Sequence, residues 1–143
     1  MISPMPHRYR VTKQLEFCYG HRLLNYDGKC RHLHGHNGRV EIELTADRLD
    51  PRGMVMDFTE VKTALGTWLD QALDHRMLLN RTDPIVPLLE QLKEPLFLMD
   101  CNPTAEAIAQ VIYDRVAALG FPVAEVRMWE SDSSFAAYRP TSD

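Results

Sequence analysis

No stretch of this sequence is apolar for the 20 or so residues that a membrane-spanning helix needs, and no secretory leader core stands near its start. Cysteine is scarce. The three in 143 residues, at positions 18, 30 and 101, follow no regular spacing, which argues against a disulfide framework and for a reducing, cytoplasmic setting. Basic residues are outnumbered, 16 Lys and Arg against 20 Asp and Glu, so the net charge of −4 excludes a general nucleic-acid binder. Repeats, low-complexity tracts and linkers are also missing. With 45% apolar residues the chain has enough material for one core, and we read residues 1–143 as a single domain.

What the sequence does have is a concentration of ligand chemistry in Cys30-Arg-His-Leu-His34-Gly-His36. The residues that follow, through Thr45, alternate as a half-buried strand does, with Val40, Ile42 and Leu44 on one face. Carried back without a bulge, that parity puts His34 and His36 on the same covered face. Residues Tyr9 to His21 alternate too, with Val11, Leu15, Phe17 and Tyr19 on the odd face, and His21 joins them. Antiparallel pairing across residues 22–33 brings His21 beside His34 and His36. Three neutral nitrogens suit zinc with an open fourth position, the pattern of a catalytic site. The competing readings are three hydrogen-bonded core histidines, or a closed structural site with Cys30 as fourth ligand. His32 shares the even parity and ranks below the other three.

Further along, Asp57-x-x-Glu60 reads as a capping box opening a helix whose buried stripe is Phe58, Val61, Leu65, Leu69, Ala72 and Leu73. It ends near Asp74-His75, where an imidazole beside a carboxylate at a helix C-terminus can exchange a proton near neutral pH. Residues 80–100 give a short helix and then an extended run at Leu96–Met99. Thr104 caps a second long helix with Ala105, Ile108, Ile112, Val116 and Leu119 inward, stopped by Gly120 and Pro122. Alternation from Ala124 to Glu130 starts a final hairpin. There Val126 and Met128 define the inner face, and Glu130 shares their parity. An inward carboxylate needs a partner, and a ligand with a paired N–H edge supplies one through two charge-assisted hydrogen bonds. The order ββααββ gives an α+β fold, an antiparallel sheet with two helices on one face. Arg22, Lys29, Arg31 and Arg39 crowd the expected site and would suit a phosphorylated ligand. Lys29 and Arg31 also flank Cys30, where positive charge favours the thiolate.

Six segments in order resemble the 6-pyruvoyltetrahydropterin and 6-carboxytetrahydropterin synthase family over nearly the whole chain: Phe17-Cys-Tyr-Gly-His21-Arg-Leu, Cys30-x-x-x-His34-Gly-His36, Met56-Asp-Phe58, Leu73-Asp74-His75, Asn102-Pro-Thr104-Ala-Glu106 and Trp129-Glu130. Tyr19-Gly20 departs from the small residues common there. The resemblance implies the tunnelling fold, with trimers stacking into a homo-hexamer and pockets between subunits. It implies Zn2+ on His21, His34 and His36, with Cys30, Asp74 and His75 as proton-transfer groups. Glu130 would anchor the pterin, and Thr104 and Glu106 would add contacts. The implied substrate is 7,8-dihydroneopterin triphosphate. Three residues between Cys30 and His34, as in the bacterial enzymes of the 7-deazaguanine and queuosine route, favour the 6-carboxy product. The pyruvoyl product, or a zinc- and pterin-binding protein without turnover, are the alternatives.

Overall fold

Two 13-residue strands, β1 (Tyr9–His21) and β2 (His34–Ala46), pair antiparallel from Tyr9↔Ala46 to His21↔His34 without a shift in register. The computed structural model describes residues 7–141. Because side chains alternate strictly in such a ladder, one face collects Phe17, Val40, Ile42 and Leu44 and the other collects the charged positions. The remaining elements are α1 (Phe58–Ala72), β3 (Arg76–Asn80), α2 (Val86–Gln91), β4 (Leu96–Met99), α3 (Ala105–Ala118), β5 (Val123–Ser131) and β6 (Ser134–Tyr138). The strand order is β4-β3-β1-β2-β5-β6.

The apolar stripes of α1 and α3 cover that inner face. Val61, Leu65 and Leu69 from α1, and Ile108, Ile112 and Val116 from α3, join Phe17, Val40, Ile42, Leu44, Val126 and Met128 in one buried cluster. Each such side chain contributes roughly 1.5–3 kcal/mol by leaving water. The α+β class with helices packed on one face therefore stands. Two details are corrected. The sheet is mixed, since β3 runs parallel to both β1 and β4, and the element order gains β3 after α1, while the short helix and the extended run at Leu96–Met99 form as read, as α2 and β4. Phe58 and Leu119 are exposed, because they sit at the first and cap positions of their helices, where the stripe has already turned toward water. Asp57 caps α1 by accepting from the Thr59 N–H at 2.8 Å, in place of the expected reciprocal box. Thr104 caps α3 as read, accepting from the Ala107 N–H at 3.1 Å.

The end of α1 positions the next strand. The Asp74 N–H reaches back to the Leu69 carbonyl, and His75 takes a left-handed conformation, φ 59°, that swings the chain beside β1. Its N–H then donates to the Cys18 carbonyl at 2.7 Å, and β3 continues along β1.

Candidate metal centre

The β1–β2 register sets His21 opposite His34 and Tyr19 opposite His36, all on the inner face. The imidazole rings lie 4.5 to 5.1 Å apart by centroid, and one ring nitrogen from each of His21, His34 and His36 falls within 4.8 Å of the others. What occupies the other ring nitrogens decides how the cluster is used. His21 Nδ1 donates to the Pro103 carbonyl at 2.7 Å, and His34 Nδ1 donates to the His32 carbonyl at 2.7 Å. Those bonds fix the tautomer and leave each Nε2 with its lone pair. His34 Nε2 is buried and has no hydrogen-bond partner, while His36 Nε2 lies 3.1 Å from His21 Nε2. Nitrogens bound tetrahedrally to zinc stand roughly 3.3 Å apart. Burial lowers the His21 pKa, against the opposing pull of the Pro103 bond and Glu130, which keeps it in the neutral form that a ligand must have. The donor set fits a divalent cation, and a purely structural role for three core histidines leaves the His34 nitrogen unexplained.

Pro103 reaches His21 because Asn102 clips the two segments together. Its side-chain oxygen accepts from the Leu24 N–H at 2.9 Å and its amide donates to the Leu24 carbonyl at 2.8 Å. Arg22, next to His21, makes a two-pronged ion pair with the fully buried carboxylate of Asp83. Both ties join the exit of β1 to distant parts of the chain.

Glu130 points inward as its parity required, with Oε2 3.0 Å from His36 Nε2 and 3.7 Å from His21 Nε2. A cavity of about 340 Å³ beside it is lined by His36, Ala105, Glu106 and Ser134. Glu106 thus faces the site, and the Thr104 hydroxyl is engaged in capping α3. Cys30 lies half-buried in a 3₁₀ turn, Lys29–Arg31, and its carbonyl accepts from the Leu23 N–H at 2.8 Å. It is outside the 4.8 Å cluster, so the closed four-ligand site is not assembled. His32 is exposed and also outside it.

Asp74 and His75 share a 2.7 Å hydrogen bond through His75 Nδ1, but they attach to β1 by Cys18, whose side chain lies on the opposite face from His21. Burial pushes the Asp74 carboxyl up. Hydrogen bonds from the Cys18 N–H, at 2.9 Å, and from His75 outweigh it and hold the pKa below the usual value. A larger cavity, about 760 Å³, runs along that side between His75, Met77 and the Gly20 and Gly35 backbones. The expected basic patch does not form as read. Arg22 is committed to Asp83, Arg31 lies 3.4 Å from Asp27, and Arg39 stacks on Trp129 at 4.6 Å on the outer face. Sequence reasoning passed over Tyr19 as a site residue and gave Asn102 no role. The first was hidden as one more apolar position on its strand, and the second acts across 78 residues.

A family model for 6-pyruvoyl tetrahydropterin synthase matches residues 10–141. A 6-carboxy-5,6,7,8-tetrahydropterin synthase of Rickettsia felis is 30% identical over 135 residues, covering 88% of this chain and 96% of its own. One of Aquifex aeolicus is 31% identical, covering 92% and 98%. Among solved structures, an uncharacterized protein from Wolinella succinogenes superposes with a TM-score of 0.77 at 27% identity, over 93% of this chain and 98% of that one. The 6-pyruvoyl tetrahydropterin synthase of Caenorhabditis elegans gives a TM-score of 0.67 at 23% identity, covering 96% and 100%, a likeness of fold. With its tunnelling fold, its inward histidine triad and matches along nearly its whole length, this chain belongs to the 6-pyruvoyl tetrahydropterin synthase family.

Proposed function

We propose that this protein is a zinc-dependent lyase that converts 7,8-dihydroneopterin triphosphate and water to 6-carboxy-5,6,7,8-tetrahydropterin, acetaldehyde and triphosphate. The observation that carries the proposal is the convergence of one ring nitrogen from each of His21, His34 and His36 within 4.8 Å, with the Nδ1 atoms of His21 and His34 spent on backbone carbonyls. Zinc held by His21, His34 and His36 would supply Lewis-acid polarisation of the substrate's side-chain oxygens.

The protein's own groups do the rest. Glu130, facing the cavity with Glu106, accepts the ring N–H edge of the pterin and sets its orientation. Thr104 contributes by fixing the start of α3. Cys30, close in sequence to the ligand pair, moves a proton at the substrate side chain. Asp74 holds the His75 Nδ1–H, which leaves Nε2 to exchange a proton as the opposing acid or base. His75 sits on the outer side of the sheet with its side chain 77% exposed, an arrangement that suits service to a pocket shared with another copy in a homo-hexamer. The bacterial relatives that carry the 6-carboxy name, and the three-residue gap from Cys30 to His34, favour this product and a place in 7-deazaguanine synthesis.

The test is incubation of zinc-loaded protein with the triphosphate, trapping of volatile aldehyde with a hydrazine, and mass analysis of the pterin. The proposal expects acetaldehyde in step with a pterin that has lost two carbons. A product keeping its three-carbon side chain, with no aldehyde, assigns the pyruvoyl reaction instead, and binding without any product makes this a pterin-binding protein.

A further inference from the structure

The two Nδ1 bonds that orient the ligand histidines both lead to the same stretch of chain, residues 22–33, which carries Cys30. At the far end of that stretch the link is direct, since His34 Nδ1 donates to the His32 carbonyl at 2.7 Å. At the near end it runs through one side chain. His21 Nδ1 donates to the Pro103 carbonyl at 2.7 Å, and the residue before that proline, Asn102, grips Leu24 twice, accepting from its N–H at 2.9 Å and donating to its carbonyl at 2.8 Å. The neighbouring Leu23 N–H donates to the Cys30 carbonyl at 2.8 Å.

The composition of this path decides which residue controls it. The acceptor for His21 is a main-chain carbonyl, which no substitution at position 103 removes, and the bond from Leu23 to Cys30 is main chain to main chain. Leu24 and Asn102 lie in no helix or strand, so no ladder joins their segments in place of the amide. The other tie at the exit of β1, from Arg22 to Asp83, leads to the segment before α2 instead. Asn102 is thus the one side chain between the His21 ring and the turn that holds Cys30.

We propose that Asn102 is a positioning residue that couples metal occupancy to the segment carrying Cys30: with the triad holding its metal, the fixed His21 and His34 rings fix the Pro103 and His32 carbonyls, and residues 22–33 are held from both ends. The proposal rests on metal binding by the triad and on the role given to Cys30 above. A ligand imidazole is oriented through the hydrogen bond of its other nitrogen, and coupling between two sites acts equally in both directions. Asn102 therefore strengthens zinc binding without being a ligand, and zinc stiffens a turn that lies outside the ligand cluster.

The test is amide hydrogen exchange at Leu23, whose N–H bonds Cys30 and not Asn102, followed by NMR in the metal-free and zinc-saturated forms of the wild type and Asn102→Ala, beside zinc affinity by competition with a chromophoric chelator. In the wild type zinc should slow exchange at Leu23 about fivefold or more, the lower end of ordinary coupling. Exchange at Gly53, whose N–H closes a turn on the Asp50 carbonyl beyond the other end of β2, should not slow. In zinc-saturated Asn102→Ala the slowing at Leu23 should be less than about twofold, the scatter of uncoupled sites, and zinc affinity should fall about tenfold or more, as on loss of an outer-shell partner. Equal slowing at Gly53, or full slowing at Leu23 in Asn102→Ala, is general stabilisation by the metal and overturns the proposal, as does an unchanged zinc affinity in that variant. The wild type decides the matter even where the variant does not fold. Zinc bound with Leu23 exchange unchanged overturns the coupling and leaves the metal reading standing, whereas no zinc bound overturns both.

Discussion

Replacing Arg22 with alanine should do more damage than its partly exposed position suggests, and should reverse how stability responds to pH. The Asp83 side chain has no exposure to solvent, and Arg22 supplies it with two hydrogen bonds; the Ile85 N–H, at 2.9 Å, is what remains without the guanidinium. Breaking such a pair from one side costs about 3–5 kcal/mol, because a buried carboxylate is left uncompensated. In the wild type the Arg22 bonds, working against burial, hold the Asp83 pKa below the ordinary 3.8. A folded-state pKa below the unfolded one means that the contribution is present above about pH 4 and is lost as pH falls through the folded value. Without Arg22, burial dominates and the folded pKa rises above the unfolded one. The sign then inverts, and Arg22→Ala loses stability as pH rises from about 4 toward neutrality. Asp83→Ala leaves the guanidinium, which is 23% exposed, able to reach water, so it should cost less and show neither slope. Urea unfolding of the three proteins from pH 3 to 8 measures all of this. A loss below about 1 kcal/mol for Arg22→Ala, or a pH slope of the wild-type sign, would refute the reasoning.

Glycines at two positions should respond oppositely to alanine. At Gly38 the new methyl meets Met128 Cε at 2.6 Å and the wedged Tyr19 ring at 2.9 Å, so Gly38→Ala should cost about 1–3 kcal/mol by overpacking. Gly66, inside α1 with nothing within 4 Å of a built Cβ, should gain roughly 0.5–1 kcal/mol, and denaturant midpoints compare the two directly. Cys30→Ala should keep its zinc and its fold yet lose about a hundredfold in turnover of the triphosphate, as expected of a proton-transfer group; metal analysis beside an initial-rate assay checks it, and loss of zinc would point to a ligand role.

The parts of this molecule that were legible in the sequence are those governed by a strict local period. His21, His34 and His36 were placed together because a ladder from Tyr9 to His21 without a bulge carries side-chain parity intact over thirteen residues, and the same rule turned Glu130 inward. Strand β3 was not legible. Leu78 and Leu79 are both fully buried, as suits a short parallel strand covered on both faces, so Arg76–Asn80 has no alternation to read. Parity also said nothing about Asp74 and His75, which lie beyond a helix end; their attachment to the far side of β1 comes from the left-handed turn at His75. The basic patch misled because charge was counted without partners. Asp83, 61 residues from Arg22, has no local signal that ties it there. The Tyr19 hydroxyl was missed for the opposite reason, since a phenol on an apolar parity is indistinguishable from a core aromatic until its oxygen is found without a partner.

The metal content of purified protein, loaded with zinc and freed of excess, tests the central claim most directly, and it needs only the wild type, His34→Ala, His36→Ala and His32→Ala. A three-histidine site should give about one zinc per chain in the wild type and in His32→Ala, whose imidazole lies outside the cluster, and little or none in the other two. Full zinc retention in both His34→Ala and His36→Ala would contradict it.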